Sequence, residues 1–159
     1  GPQARPMRVL SVAGHRNSGK TSLIEALLRA FPASLQVATI KSIHHDVEFD
    51  TEDTDTHRHR TAGADTVVGM TPHLTAEFRS AGKADGRTVA DRLAELHGRG
   101  VDWVLVEGFK ETASPTILVG DVEADAVGGE VLFRVEDGTT VDGTELYERI
   151  QDVPEWRPE

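Results

Sequence analysis

One stretch of this chain has the residue types and spacing to do chemistry on phosphate: Gly14, His15, Arg16, Asn17, Ser18, Gly19, Lys20, Thr21 and Ser22. The pattern is Gly-x-x-x-x-Gly-Lys-Thr. Its glycines let the backbone curl so that successive N–H groups point at an anion, and a following helix N-terminus adds partial positive charge. Lys20 then reaches the β- and γ-phosphates, and the Thr21 hydroxyl coordinates magnesium. An ordinary glycine-rich turn with a lysine on its rim uses the same residue types. Context separates the two readings, because the motif needs a strand before it and a helix after it. Both are present: Val9, Leu10, Val12 and Ala13 form an apolar run, and "TSLIEALLRAF" places Leu23, Leu27 and Phe31 on one helical side.

The elements that must position this loop follow in alternation. Strands are expected at 35–42, 65–71, 101–109, "PTILVG" and "VLFRVE", and helices at 55–64 (capped by Asp55 or Thr56), "TVADRLAELHGRG" and "DGTELYERIQDV". Such alternation predicts an α/β, three-layer P-loop nucleotide-binding fold, with a mostly parallel sheet and helices on both faces. Residues 7–153 read as a single domain. "GPQARP" reads as a remnant ahead of a native start or a disordered arm, and 154–159 as a loose tail.

In such sheets the ligand lies beyond the carboxyl ends of the strands. The very apolar strand at 101–106 therefore delivers Glu107 and Gly108 to the loop's edge, with Glu107 acting on magnesium or its water. Asp102, at the opposite end, is expected to be solvated or capping. Strand 35–40 delivers Lys41 and then "SIHHDVEFD" to the same edge, making His44, His45, Asp46 and Asp50 candidates for contact with phosphate, substrate or magnesium. Asp46 and Glu107 are the catalytic candidates, and Thr21, Asp46 and Glu107 the metal ligands. Adjacent His44 and His45 diverge if extended, as do His57 and His59 on a helix, so no spacing enforces a transition-metal site.

Composition narrows the classes. A formal charge of −10 disfavours a general nucleic-acid or anionic-membrane binder, and no apolar run approaches membrane-spanning length. With no cysteine, the chain alone forms no disulfide or zinc–thiolate site, and a reducing cytoplasm is its simplest home.

Together "GHRNSGKTSL", "TIKSIHHDVEFD", "DTHRHRTAGAD" and "VLVEGFK" resemble the molybdopterin-guanine dinucleotide biosynthesis protein B family, over roughly residues 7 to 120. The resemblance implies a P-loop protein that binds GTP with magnesium, hydrolyses it weakly and admits molybdopterin as a further ligand. It also implies a homodimer that assists a partner guanylyltransferase, the family's A protein, in making the guanine dinucleotide cofactor. Lys41, His44, His45, Asp46 and Asp50 match its second motif; Asp55, Arg60 and Gly63 its third; Glu107, Gly108 and Lys110 its fourth. Two departures stand out. His15 occupies a position where some relatives carry a second lysine. The guanine-reading Asn-Lys-x-Asp of signalling GTPases is absent, since Asn17 is the sole asparagine. Two other classes remain open on the residues alone. One is a small-molecule kinase or ATP-dependent ligase with a lid at 74–87 carrying Arg79, Lys83 and Arg87. The other is a nucleotide-gated metal chaperone.

Overall fold

The computed structural model describes residues 6–109 and 112–158. In chain order the elements are β1 (Arg8–Gly14), α1 (Lys20–Ala30), β2 (Val37–Lys41), α2 (Asp55–Thr61), β3 (Thr66–Met70), β4 (Thr75–Arg79), α3 (Val89–Gly98), β5 (Trp103–Glu107), β6 (Thr116–Val119), β7 (Val131–Val135) and α4 (Gly143–Arg149). They divide into two compact units. One combines the chain up to Ile43 with the chain from Val89 onward, and the other is His44–Thr88. The sequence reads as a single domain because no linker-like composition marks either boundary.

The first unit is a five-stranded sheet in the order β2-β5-β1-β6-β7, with every pairing parallel. Alternation along β1 sends Leu10 and Val12 to one face and Val9 to the other. On the first face they pack with Leu23 and Leu27 of α1 and Leu146 of α4, and on the second with Leu93 of α3. Helices thus cover both faces, which is why β5, "WVLVE", is buried at every position. Leu23 and Leu27 are completely buried, and each contributes about 2 kcal/mol of hydrophobic stabilisation. Phe31, at the end of α1, meets Trp103 and Tyr147 edge-on at 5.4 and 5.2 Å, closing this core between sheet and helices.

Two expectations are corrected and a third is narrowed. The strand at 65–71 does not join the parallel sheet; as β3 it pairs antiparallel with β4 in a separate two-stranded sheet. The short Thr71–Leu74 link permits this, whereas a parallel pairing needs a crossover of a dozen residues or more. Of the alternatives for Asp102, solvated or capping, only the second holds: it is buried, and its carboxylate accepts the Gln36 N–H at 2.7 Å, fixing the entry to β2. The segment at 154–159 is not loose at its start. Glu155 bridges Arg8, and the Trp156 N–H donates to the Met7 carbonyl at 2.7 Å. The Trp156 ring meets His97 at 5.7 Å and packs on the second core cluster, apolar area that holds the segment down. No helix among the described residues is long and apolar enough to cross a membrane.

Candidate phosphate and magnesium site

The loop between β1 and α1 joins the end of the strand at Gly14 to the start of the helix at Lys20. Asn17 and Gly19 take positive φ, 65° and 94°, so the backbone reverses twice before the helix begins. A left-handed conformation is a modest strain for asparagine and free of strain for glycine. Gly19 is the N-cap, so no side chain caps α1, and its first turn carries no acidic residue. The first N–H groups of the helix therefore keep their capacity for an anion, reinforced by the helix dipole. Ser18 adds a second sign of an anion seat: its hydroxyl is buried without a hydrogen-bond partner. A buried hydroxyl left unpaired is costly, and a phosphate oxygen is a partner that would satisfy it.

Lys20 arches back over the loop, its ammonium donating to the Gly14 carbonyl at 2.7 Å and the His15 carbonyl at 3.4 Å. The chain's own carbonyls thus hold the cation above the seat. Thr21 donates to the Glu107 carboxylate at 3.4 Å, although the two residues lie on different elements. Register explains their meeting. Glu107 ends β5 opposite Val12 of β1, while β1 runs on to Gly14 and hands the chain to α1. A hydroxyl beside a buried carboxylate is a hard oxygen donor set, the kind magnesium prefers.

Lys41 pairs in register with Glu107 from the other side and is exposed. Gly108 follows with φ 95° beside Ser42, whose N–H donates to the Glu107 carbonyl at 2.9 Å. On β1's opposite flank, His15 lies 3.7 Å from Asp121, both exposed. Gly14, His15, Arg16, Asn17, Ser18, Gly19, Lys20, Thr21 and Ser22 thus share one sheet edge with Lys41, Glu107 and Gly108. Lys110 lies outside the described residues.

The other named residues belong to the second unit. His44, His45 and Asp46 are exposed in the segment before α2. Asp50 has a structural task there: it accepts from the Thr56 hydroxyl at 2.7 Å and the Thr51 N–H at 2.9 Å. The cap of α2 is Thr54, with Asp55 and Thr56 one and two positions inside the helix. Arg60 pairs with Glu48 and stands 5.9 Å over the Phe78 ring. His57 accepts the Asp53 N–H at 3.1 Å through Nδ1. Among the described residues no three His, Asp or Glu side chains group to hold a metal. The segment at 74–87 contains β4 and a single 3-10 turn, with Arg79 bonded to Glu77 at 3.2 Å.

One contributor escaped the sequence reading. The turn after β7 packs directly on the loop between β1 and α1, the Gly138 N–H donating to the Ser18 carbonyl at 3.1 Å. The Asp-Gly pair following a strand signals a turn, but nothing local shows what that turn touches.

The model of the molybdopterin guanine dinucleotide synthesis protein B family matches residues 9–136. A relative in Methanocaldococcus jannaschii is 39% identical over 105 residues, 66% of this chain and 42% of its own length. The molybdopterin-guanine dinucleotide biosynthesis adapter protein of Haemophilus influenzae is 34% identical over 70% of this chain and 62% of its own. The chain therefore spans between two fifths and two thirds of the length of these relatives. The crystal structure of Bacillus subtilis MobB shares the fold, with a TM-score of 0.62 at 23% identity, over 81% of this chain and 77% of that one. A crystal structure of molybdopterin-guanine biosynthesis protein B gives 0.59 at 26% identity, covering 79% of each chain.

Proposed function

This chain belongs to the molybdopterin guanine dinucleotide synthesis protein B family, and from that premise we propose that it is a GTP-binding adapter in the making of that dinucleotide. The observation that carries the reading is the uncapped α1 N-terminus with the unpartnered Ser18 hydroxyl beside it, under the Lys20 ammonium. These groups suit an oligophosphate: N–H donors for the inner phosphates, an ammonium for the outer ones and a hydroxyl awaiting an acceptor.

Thr21 and Glu107 are the residues that would hold magnesium. The metal would supply positive charge that neutralises the terminal phosphates. The chain's own part is positioning. Lys20 is held by two carbonyls, and Glu107 is fixed at the end of a fully buried strand. Both are ordered before a ligand arrives, which lowers the entropic cost of binding. Hydrolysis is slow in this reading, since P-loop proteins without an arginine finger or a water-orienting glutamine turn over at roughly 10⁻⁴ to 10⁻² per second. We propose with this adapter role a guanylyltransferase partner, a homodimeric working form, molybdopterin as a further ligand and a cytoplasmic location.

Calorimetric titration with GTP and ATP in parallel, each with and without magnesium, tests the proposal. It expects magnesium-dependent binding of GTP in preference to ATP. Equal affinity for both would remove the guanine assignment, and no binding of either would remove the nucleotide reading.

A further inference from the structure

The nucleotide reading says where phosphates sit but not what meets the base. The sheet order constrains the answer. β1 has β5 on one side and β6, then β7, on the other, and Glu107 with Thr21 marks the β5 side. Thr21 and Glu107 would hold magnesium, which would neutralise the outer phosphates, so that end of a triphosphate would face the β5 side. The nucleoside end therefore leaves over the opposite flank, beyond the carboxyl ends of β6 and β7.

The turn after β7 is built onto that flank. Gly138 bonds the phosphate loop through Ser18, and a Cβ added at Gly138 would collide with the Gly19 carbonyl. The two backbones are in direct contact, which fixes the height of the turn against the phosphate seat. Within it, one oxygen of Asp137 accepts both the Thr139 N–H at 2.9 Å and the Thr139 hydroxyl at 2.7 Å. The same two bonds hold the carboxyl below its ordinary range, so it stays ionised. Its second oxygen is left for an outside donor. Glu136, Asp137 and Thr140 line a cavity of about 540 Å³ together with Asp142 and Arg149. That volume lies within the range of small-molecule sites.

Resting on the nucleotide reading, we propose that Asp137 selects the base, its open carboxylate oxygen accepting from the N1–H and exocyclic amine edge of guanine. Adenine presents an acceptor at N1 and no amine at C2, so the same carboxylate rejects it. This supplies guanine discrimination to a chain without the signalling-GTPase motif.

Asp137→Asn is the discriminating variant. Asparagine keeps the oxygen that accepts from Thr139 and turns only the open position from acceptor to donor. Titrations with magnesium would compare GTP, ATP, xanthosine triphosphate and inorganic tripolyphosphate on wild type, Asp137→Asn and Glu136→Gln, with melting curves for each. Wild type is expected to prefer GTP. Asp137→Asn should lose roughly 10- to 100-fold in GTP affinity, the range for a hydrogen bond to a charged group. It should gain affinity for xanthosine triphosphate, whose C2 oxygen accepts from the new amide. Tripolyphosphate affinity should stay unchanged in Asp137→Asn, and the preference for GTP over ATP should survive in Glu136→Gln. Equal losses across all four ligands would overturn the proposal, showing that Asp137 only supports the phosphate loop. So would unchanged GTP affinity in Asp137→Asn, or a preference switch carried by Glu136→Gln. Failure of wild type to bind even tripolyphosphate would instead bring down the nucleotide reading on which the proposal rests.

Discussion

A single charge can be removed from the phosphate seat without touching the core. Lys20 is half-exposed and its ammonium bonds the rim carbonyls of Gly14 and His15, outside the apolar core, so Lys20→Ala should leave the circular dichroism spectrum unchanged. It should weaken triphosphate binding by roughly 10- to 100-fold or more, since a charge-assisted contact is lost. Unchanged affinity by calorimetry would refute the loop's assignment. Glu107→Gln keeps shape and deletes charge; it should weaken binding with magnesium more than without it, and equal losses would remove Glu107 from the metal set. Residue types and spacing singled out Gly14 to Ser22 and Glu107 as candidates, because a glycine-rich strand-to-helix loop and a strand-end acid are local patterns. Asp102 and Asp50 were not legible in that way. Whether an acid meets magnesium or the N–H of Gln36 or Thr51 depends on which backbone lies opposite, and that is set by the fold.

Contact between elements sets the behaviour of the turn after β7. Gly138→Ala forces a Cβ against the Gly19 carbonyl, so it should destabilise by about 1–3 kcal/mol and weaken phosphate binding as well. Gly82→Ala, with open space around it, is the control expected to melt as wild type. Equal melting temperatures for the two variants would contradict the packing. Asp137 adds a pH signature. Its folded pKa is depressed by the two bonds from Thr139, so its contribution is full above the unfolded pKa of about 4 and fades as pH falls through the folded value. The Thr139 amide should therefore lose hydrogen-exchange protection in acid, and Asp137→Ala should remove that dependence. The alternation of apolar strands and amphipathic helices announced the parallel sheet. It did not announce β4, where Glu77 and Arg79 alternate with Ala76 and Phe78 in a strand too polar to look buried. A two-stranded ribbon needs only that half-buried pattern.

At the scale of the whole chain, stability is unevenly placed. The first unit holds nearly all of the buried apolar residues, whereas the second exposes Val68, Met70, Leu74 and Phe49. Leu27→Ala should cost about 2–5 kcal/mol in a denaturant melt, and Leu74→Ser should cost under about 0.5 kcal/mol. Comparable losses would mean that the hairpin's apolar surface is covered in solution. The bond from Trp156 to Met7 carries a different consequence. It makes the backbone of the first unit nearly a closed circuit, with the start of β1 and the stretch after Val153 side by side. The order in which the ribosome delivers the elements is then incidental to how they pack. A circular permutant joined across this seam by a short flexible peptide, and reopened at the tip between β3 and β4, should fold to the same sheet.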